Sequence, residues 1–466
     1  MTTSTAFSRR TALLLAAAAC LGGSLPAQST GLAARYQADA NRLIDAATRD
    51  SAAWNRLAKM TDTFGNRLSG STALEKTIDW ILAAMKADGL QNVHGEPVMV
   101  PHWVRGAESA TLISPRTKKL DMLGLGNSIG TPADGITADV VVVSDFDELH
   151  ALGDKVKGKI VVFDAPFVTY GETVRYRSSG VVEAAKQGAV AAIVRSITPQ
   201  SLSTPHTGAL RYDTTVKKIP GAAITVEDAE LLHRMQARGD RITLKLVMHA
   251  RMLPDAPSRN IVAEIVGSEK PNEVIVLGGH IDSWDVGQGA MDDGGGSVAA
   301  WEAVRLMKVL GLKPKRTVRV VLWTNEENGG RGGVAYRAAH ANEVANHMVA
   351  MESDNGVFAP RGVRVVGGDS TLAVVRQIAS LLRRIGADST AFGGGESDIG
   401  PLLEAGVPGL ALDVDGSKYF WYHHTNADMM EAVNPNDIAR CVAVMAVLAY
   451  VVADMPEPLP RGATPR

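Results

Sequence analysis

The 466-residue chain predicts an α/β protein with an open, mostly parallel central sheet. Three short apolar runs, at residues 273–277, 317–323 and 348–351, support this fold class. Each is rich in β-branched residues and is bounded by Gly or polar residues, as buried central strands are. In open sheets of this kind, ligands bind beyond the carboxyl ends of the strands. The residues after the three runs are therefore the first candidates for a functional site.

Metal-binding side chains follow each run, and another follows an aromatic segment near residue 420. In chain order they are His280, Asp292, Glu326, Glu327, Asp354 and His424. Imidazole nitrogen and carboxylate oxygen are ligands that zinc prefers, and a catalytic zinc keeps one position for water. Because the carboxyl ends of parallel strands meet at one edge of a sheet, these distant residues predict one metal site.

The ligands divide between two zinc ions. Asp292 is assigned as the bridging carboxylate, because two ions about 3.5–4 Å apart need a shared ligand. His280 and Asp354 complete one ion, and Glu327 and His424 complete the other. The sequence therefore predicts two zinc ions per chain.

Two further acidic residues are assigned to the chemistry. Glu326 is adjacent to a ligand but is not needed as one, and it is the expected general base for water held between the ions. Asp282 lies two residues after His280. Its carboxylate is expected to accept the proton of the ring nitrogen that does not bind metal, which would determine the tautomer.

The other elements follow in chain order. Apolar residues recur at helical spacing from Tyr36 to Gln91, and strand-like segments follow near residues 98–104 and 109–113. A helix over residues 297–310 is expected after a run of three glycines, with Gly311 as its C-terminal cap.

The tract between these parts has strands of its own, near residues 140–143, 159–163 and 190–194, and none of the proposed ligands. This order of elements indicates an inserted domain. The predicted organisation is a signal peptide at 1–27, a first part of the main domain at 28–116, the insertion at 117–252, a second part with the metal site at 253–455, and a disordered tail at 456–466.

The charge balance argues against some partners. Lys and Arg total 48 and Asp and Glu total 50, so the formal net charge is −2. Without a long basic run, we expect no nucleic-acid partner. No apolar stretch in the body of the chain reaches the ~18–20 residues that a membrane span needs.

The N-terminus predicts export to the periplasm or the exterior. Arg9 and Arg10 precede an apolar run and then small residues, which is the order of a secretory signal. The twin-arginine and general secretory routes both stay open, and lipid attachment at Cys20 is a second possibility. Cys441 is the only other cysteine, so removal of the signal leaves no intramolecular disulfide.

The motifs match a known family. GGHIDSWDVGQGAMDDGGG, WTNEENGG, ESDNG and YFWYHHTNAD resemble the di-zinc exopeptidases of the aminopeptidase type, and within them the carboxypeptidase Q (plasma glutamate carboxypeptidase) branch. Further segments such as VPHWVRGAESATLISPR extend the resemblance over most of the chain. It implies a three-layer α/β/α fold with a mixed, mostly parallel sheet. The insertion resembles a protease-associated domain.

The resemblance implies the same ligands and the same base, and a cis peptide bond after Asp292. The last ligand of the family precedes Thr or Ser and stands four residues before an Asp, which selects His424 over His423. His423 then has a neighbouring role at the substrate. Ser397 and Asp398 fall where the family lines its substrate cleft, although a capped glycine-rich loop is an alternative.

The expected activity is hydrolysis of dipeptides, or of terminal residues of short peptides, with Glu326 as the base. An aminopeptidase of the same family, a glutaminyl cyclase-like transferase and a non-catalytic binding protein on a peptidase scaffold are the alternatives. The preferred substrate terminus and the oligomeric state, with a homodimer possible, stay open. The inserted domain is expected to act either as a lid that selects substrates or as a passive module.

Overall fold

Three helices and a long strand open the part of the chain that the structure describes. The computed structural model describes residues 31–395 and 397–462, so the predicted signal peptide and Cys20 lie outside it. The opening elements are α1 (Leu32–Arg49), α2 (Ala52–Phe64), α3 (Thr72–Ala87) and β1 (Gln91–Val104). Buried residues recur at three- and four-residue spacing along α1, and the Ser71 side chain caps α3 by accepting from the Leu74 N–H.

The next elements build the inserted sheet. Its strands are β2 (Glu108–Ser114), β3 (Lys118–Leu120), β4 (Met122–Gly124), β5 (Ile136–Val143), β6 (Ile160–Phe163), β7 (Ala191–Arg195), β8 (Gly221–Ile224) and β9 (Thr243–Met248). Its helices are α4 (Phe146–Leu152), α5 (Tyr170–Thr173), α6 (Arg175–Lys186) and α7 (Val226–Ala237). The strand order is β3-β2-β9-β5-β6-β7-β8-β4, and β5 to β8 run parallel.

The strand pairing places the start of the insertion earlier in the chain than predicted. We expected the strand near residues 109–113 to belong to the main domain, but β2 pairs with β3 and β9 of the inserted sheet. The insertion therefore begins near Glu108 and not at residue 117. The apolar alternation of this strand could not reveal which sheet it joins, because a partner strand more than 130 residues later decides it.

The rest of the chain completes the main sheet. Its strands are β10 (Arg251–Ile265), β11 (Lys270–His280), β12 (Arg316–Trp323), β13 (His347–Glu352), β14 (Pro360–Val366), β15 (Ser389–Phe392) and β16 (Gly409–Val414). Its helices are α8 (Gly295–Val309), α9 (Arg331–Ala339), α10 (Asp369–Ala379), α11 (Gly400–Glu404), α12 (Tyr419–Tyr422) and α13 (Pro435–Asp454). The order is β1-β10-β12-β11-β13-β16-β14-β15, with β12, β11, β13 and β16 parallel neighbours.

Alternate residues of the central strands pack on opposite faces of the main sheet. Ile275 and Leu277 of β11 join the core with α1, α2, α8 and α13, whereas Val274 and Val276 pack with α9 and α11 on the other face. Both faces of the sheet are therefore covered by helices, which confirms the three-layer α/β/α fold.

Helix α13 is the most apolar of the described helices. Among the described residues it is the one helix long and apolar enough to span a bilayer, yet 83% of its most apolar window is buried inside the fold. Cys441 lies within it and is fully buried. The apolar character of α13 is therefore that of a core helix.

The described part of the predicted disordered tail is held against the main domain by a few contacts, although most of its residues are exposed. Leu459 is 2% exposed, and Arg461 donates to the backbone carbonyl oxygens of Ala345 and His347 at 2.9 and 2.7 Å. The expectation of a disordered tail was therefore wrong for residues 456–462. Proline-rich composition indicated an extended chain, and these contacts hold that chain against the main domain.

An apolar cluster joins the two sheets. Trp103 of β1 and Trp284 meet edge to face at 6.5 Å between ring centroids. Gly126 of the insertion lies so close to Trp284 that a Cβ there would be 2.0 Å from the ring. Arg105, which precedes the insertion, donates to the Asp285 carboxylate at 2.9 Å and to the Gly124 carbonyl oxygen of the insertion at 2.5 Å. The insertion is thereby held against the loop that follows β11.

Candidate metal centre

The proposed ligands stand at the carboxyl ends of four parallel strands of the main sheet. His280 is the last residue of β11, Glu327 follows β12, Asp354 follows β13, and His424 follows β16 after the short helix α12. Asp292 lies in the turn before α8. Because these strands are neighbours, their ends bring the five side chains together.

The distances between ligand atoms are those of two adjoining cation sites. His280 Nε2 lies 3.3 Å from Asp292 Oδ1 and 3.4 Å from Asp354 Oδ1. His424 Nε2 lies 3.3 Å from Asp292 Oδ2 and 3.0 Å from Glu327 Oε2. Ligands about 2.0–2.1 Å from a tetrahedral zinc stand about 3.3 Å from one another. The two oxygens of Asp292 therefore face two different ligand groups, as a bridging carboxylate requires.

Buried polar atoms that lack a hydrogen-bond partner support a fit to metal ions. His280 Nε2 and Asp292 Oδ2 are buried and have no hydrogen-bond partner within residues 31–395 and 397–462. Buried polar atoms in folded proteins nearly always have a partner. The set of imidazole and carboxylate donors is one that zinc accepts. The residues present therefore fit a pair of divalent cations.

The electrostatics of the cluster lead to the same conclusion. Burial and the nearby Asp292 carboxylate raise the pKa of Glu327 to about 8, and burial raises the pKa of Asp354 to about 6. Burial lowers the pKa of His424, but the Glu327 and Asp292 carboxylates outweigh it and raise that pKa to about 10. Crowded, buried carboxylates of this kind need positive charge nearby to stay ionised.

Asp292, the residue predicted to bridge two ions, is held by a carboxylate from a segment more than 130 residues later in the chain. Asp428 accepts hydrogen bonds from the backbone N–H groups of Ala290, Met291 and Asp292 at 3.0, 2.7 and 3.1 Å. The peptide bond between Asp292 and Asp293 is cis, as the family resemblance predicted. In the sequence, Asp428 is recognisable only as the Asp four residues after His424, and no local pattern indicates its contact with the Asp292 turn.

A buried arginine supports the loop between β11 and α8. Arg67 donates to the carbonyl oxygens of Ile281, Gln288 and Gly289 at 2.8, 2.7 and 2.9 Å. It precedes α3, more than 200 residues before the loop. No motif surrounds Arg67 in the sequence, so sequence reasoning had no signal for it.

Asp282 makes a different contact from the one expected. His280 Nδ1 lies 3.0 Å from the backbone carbonyl oxygen of Asp282, whereas the carboxylate is 3.8 Å away. The carboxylate accepts instead from the backbone N–H groups of Glu326 and Glu327 at 3.0 and 3.4 Å. The expected carboxylate contact was therefore wrong, because the chain turns after β11 and presents the Asp282 carbonyl to the ring. Asp282 holds the Glu326–Glu327 segment.

Glu326 is half-buried at the edge of the ligand cluster. Its side-chain oxygen accepts a hydrogen bond from the Ser397 hydroxyl. The neighbouring Glu327 is oriented by the Trp284 backbone N–H, which donates to Oε1 at 3.2 Å and leaves Oε2 towards His424. The two adjacent glutamates therefore point to different partners.

Asp398 and His423 lie near the cluster but differ from the ligands. Asp398 is buried, and burial together with the Glu326 charge raises its pKa well above the ordinary value. His423 Nε2 is 3.7 Å from Asp292 Oδ2, and its ring stacks on His424 with centroids 3.5 Å apart. His424 has the shorter distances to two carboxylates, so the geometry favours it over His423 as the ligand.

The chain matches two family models. Residues 260–449 match the model of peptidase family M28, and residues 123–232 match that of the PA domain. The protein is 52% identical to carboxypeptidase Q of Xenopus laevis over 91% of this chain and 92% of the relative.

Solved structures give the same picture. A peptidase M28 precursor from Shewanella amazonensis has 35% identity, a TM-score of 0.90 and coverage of 93% of this chain and 100% of its own. BSAP, a zinc aminopeptidase from Bacillus subtilis, has 20% identity, a TM-score of 0.66 and coverage of 87% and 96%, and it shares the fold. The inserted sheet is thus a PA domain. The chain belongs to peptidase family M28, and it is a metallopeptidase.

Proposed function

We propose that the chain is a two-zinc exopeptidase that hydrolyses dipeptides or the terminal residues of short peptides. One ion would be held by His280, Asp354 and Asp292, and the other by Glu327, His424 and the second oxygen of Asp292. The observation that carries this proposal is the division of the Asp292 oxygens between two ligand groups at 3.0–3.4 Å. The carboxypeptidase Q and zinc aminopeptidase relatives support both the metal and the exopeptidase class.

When bound, the two ions would supply Lewis acidity, which activates water and stabilises charge that develops on the scissile carbonyl. Glu326 would take a proton from the attacking water and return it to the leaving amine. Ser397 donates to Glu326 and so orients the carboxylate for that transfer. Asp282 holds the backbone of Glu326, which keeps the base beside the cluster.

The general base is tested by Glu326→Gln, which keeps the shape of the side chain and removes its basicity. We expect kcat to fall about 10²–10⁴-fold, while zinc content measured by mass spectrometry stays at two ions per chain. Glu404→Gln, at an exposed position of α11, is the matched control and should leave kcat unchanged. Retained turnover in the Glu326 variant would refute the role, and so would loss of zinc.

The substrate terminus is tested with dipeptides blocked at one end. A carboxypeptidase Q-like enzyme would keep its activity on substrates with a free carboxyl group and a blocked amine, whereas an aminopeptidase would show the reverse. Release of free amino acid from an unblocked dipeptide would separate both from a glutaminyl cyclase-like transferase. We also propose export, on the signal-like order of residues 1–27.

A further inference from the structure

The PA domain contacts His424 at both its backbone and its imidazole. The Thr207 N–H donates to the His424 carbonyl oxygen at 3.0 Å, and His424 Nδ1 lies 3.3 Å from the Thr207 carbonyl oxygen. The φ angle of His424 is 63°, in the left-handed region that is unfavourable for a residue with a Cβ. Such a conformation persists only when surrounding contacts hold it. Thr207 supplies two of those contacts.

The partner of Nδ1 decides which ring nitrogen faces the ligand cluster. A neutral imidazole carries one proton, and Nδ1 must hold it if Nε2 is to bind a cation. In that tautomer Nδ1–H of His424 donates to the Thr207 carbonyl oxygen, an arrangement common among metal-binding histidines. The Nε2 lone pair then faces Asp292 and Glu327.

Arg177 of α6 lies against the same carbonyl. One terminal nitrogen of its guanidinium is 3.4 Å from the Thr207 carbonyl oxygen and 3.3 Å from His424 Nδ1. Because Nδ1–H and the guanidinium are both donors, they share the carbonyl oxygen, which has two lone pairs. Arg177 therefore holds the acceptor that the imidazole needs.

The position of the guanidinium is set by packing within the PA domain. Arg177 is 7% exposed, and its second terminal nitrogen donates to the Tyr170 hydroxyl at 2.8 Å. On the other side, a Cβ at Gly208 would come within 2.4 Å of the guanidinium carbon. Arg177 thus lies between the Tyr170 side chain and the Gly208 backbone, with little freedom to move.

We propose that Arg177 is a positioning residue of the metal centre: it holds the Thr207 carbonyl, and through it the imidazole of His424. The PA domain thereby completes one of the two zinc positions. This inference rests on the ligand role of His424 in the proposed function. It gives the inserted domain a part in metal binding, besides any part in covering the substrate.

The test measures the two zinc affinities of Arg177→Met by competition with a chelator. We expect the zinc affinity of the position formed by His424 and Glu327 to fall about 10–100-fold, which is the usual effect of losing a partner of a metal ligand. The other position should keep its wild-type zinc affinity. Arg177→Lys should restore part of the loss, because lysine keeps a donor but not the planar fork. Arg175→Met, at an exposed position of the same helix, should change neither affinity.

Double variants identify the position that weakens. His280→Ala removes a ligand of the other ion. The double variant His280→Ala/Arg177→Met should therefore bind its remaining zinc more weakly than His280→Ala alone. Added to His424→Ala, the same change should have no further effect, because the contact it supports is already gone. Should Arg177→Met fail to fold by circular dichroism, Tyr170→Phe removes one anchor of the guanidinium and should weaken the same position to a smaller extent.

Three results would overturn the inference. Unchanged affinities in folded Arg177→Met would show that the guanidinium does not position the ligand. Equal weakening of both positions would indicate general loosening of the domain. Fewer than two tightly held zinc ions in the wild-type protein would contradict the two-ion centre itself, and this inference with it.

Discussion

The two sheets of this protein each have eight strands, four of them parallel neighbours, but the polar residues at the ends of these parallel strands have different partners. In the PA domain, Asp145 after β5 and Thr225 after β8 cap helices by accepting from backbone N–H groups. Asp164 after β6 is paired with Arg195 at 3.0 Å and His233 at 2.8 Å. Each of these strand-end polar groups has a local partner.

In the main sheet the corresponding groups are buried and face one another. His280 Nε2 and Asp292 Oδ2 have no hydrogen-bond partner within the part of the chain that the structure describes. Eight strands with a parallel centre therefore do not by themselves make a metal site. What distinguishes the site is a set of strand-end donors whose hydrogen-bonding capacity the protein leaves open.

The largest expected effect separates the two sheets directly. If Asp292 bridges two ions as proposed, Asp292→Ala should reduce zinc from two ions per chain towards none, because both positions lose a ligand. Asp164→Ala, at the end of a parallel strand in the PA domain, should leave zinc content unchanged although it breaks two ion pairs. Elemental analysis of both dialysed variants checks this. Two ions retained in Asp292→Ala would contradict the bridge.

A smaller effect is expected from removing a side chain that accepts backbone hydrogen bonds, once in the main domain and once in the PA domain. Asp428 and Thr225 both accept hydrogen bonds from backbone N–H groups. Asp428→Asn replaces one carboxylate oxygen by a donor, so the Asp292 turn loses part of its support, and we expect about 10-fold weaker zinc binding. Thr225→Ala should cost about 1 kcal/mol of stability, as loss of a helix cap does, with zinc affinity unchanged.

Chelator competition and urea unfolding separate these two outcomes. If Thr225→Ala weakened zinc as much as Asp428→Asn, the two sheets would not be functionally distinct in the way we describe.

The smallest effect concerns His340, which lies between two glutamates away from the metal centre. His340 contacts Glu96 at 2.8 Å and Glu343 at 2.6 Å. Burial lowers its pKa, but the bond to Glu96 and the carboxylate charges outweigh this and raise the pKa of His340 above 6.5. A raised folded pKa gives stability that is fully present below about pH 6.5 and is lost as the pH rises through the folded value.

His340→Gln should therefore lower stability at pH 6 more than at pH 8, by on the order of 1 kcal/mol. The metal centre should respond in the opposite direction, because its histidines bind zinc only when neutral. Unfolding of the metal-free protein at both pH values measures the first effect alone, with the exposed His249→Gln as control. Equal destabilisation at both pH values would show that His340 does not contribute to the pH dependence of stability.

Sequence reasoning reached the proposed ligands, which the structure brings together, because strand ends are a local signal. The apolar run of β11 and the His280 that ends it stand together in the chain, and so do β12 and Glu327. The cis bond after Asp292 came from the family resemblance, and the structure contains it. The limits of the insertion were less predictable, since the pairing of β2 with β9 is a long-range choice.

The amino-acid sequence alone was therefore enough to predict the fold class, the inserted domain and the residue types available to hold metal. How those residues are supported depends on contacts between distant segments. Asp282 holds the Glu326–Glu327 segment and not the His280 ring. Arg67 and Asp428 hold the loop between β11 and α8, and Arg177 contacts His424, 247 positions later in the chain. The difference arises from the sequence separation over which each kind of contact acts. Hydrophobic periodicity reports neighbours within a strand or helix, whereas the partner of a buried polar atom depends on which distant segment packs against it.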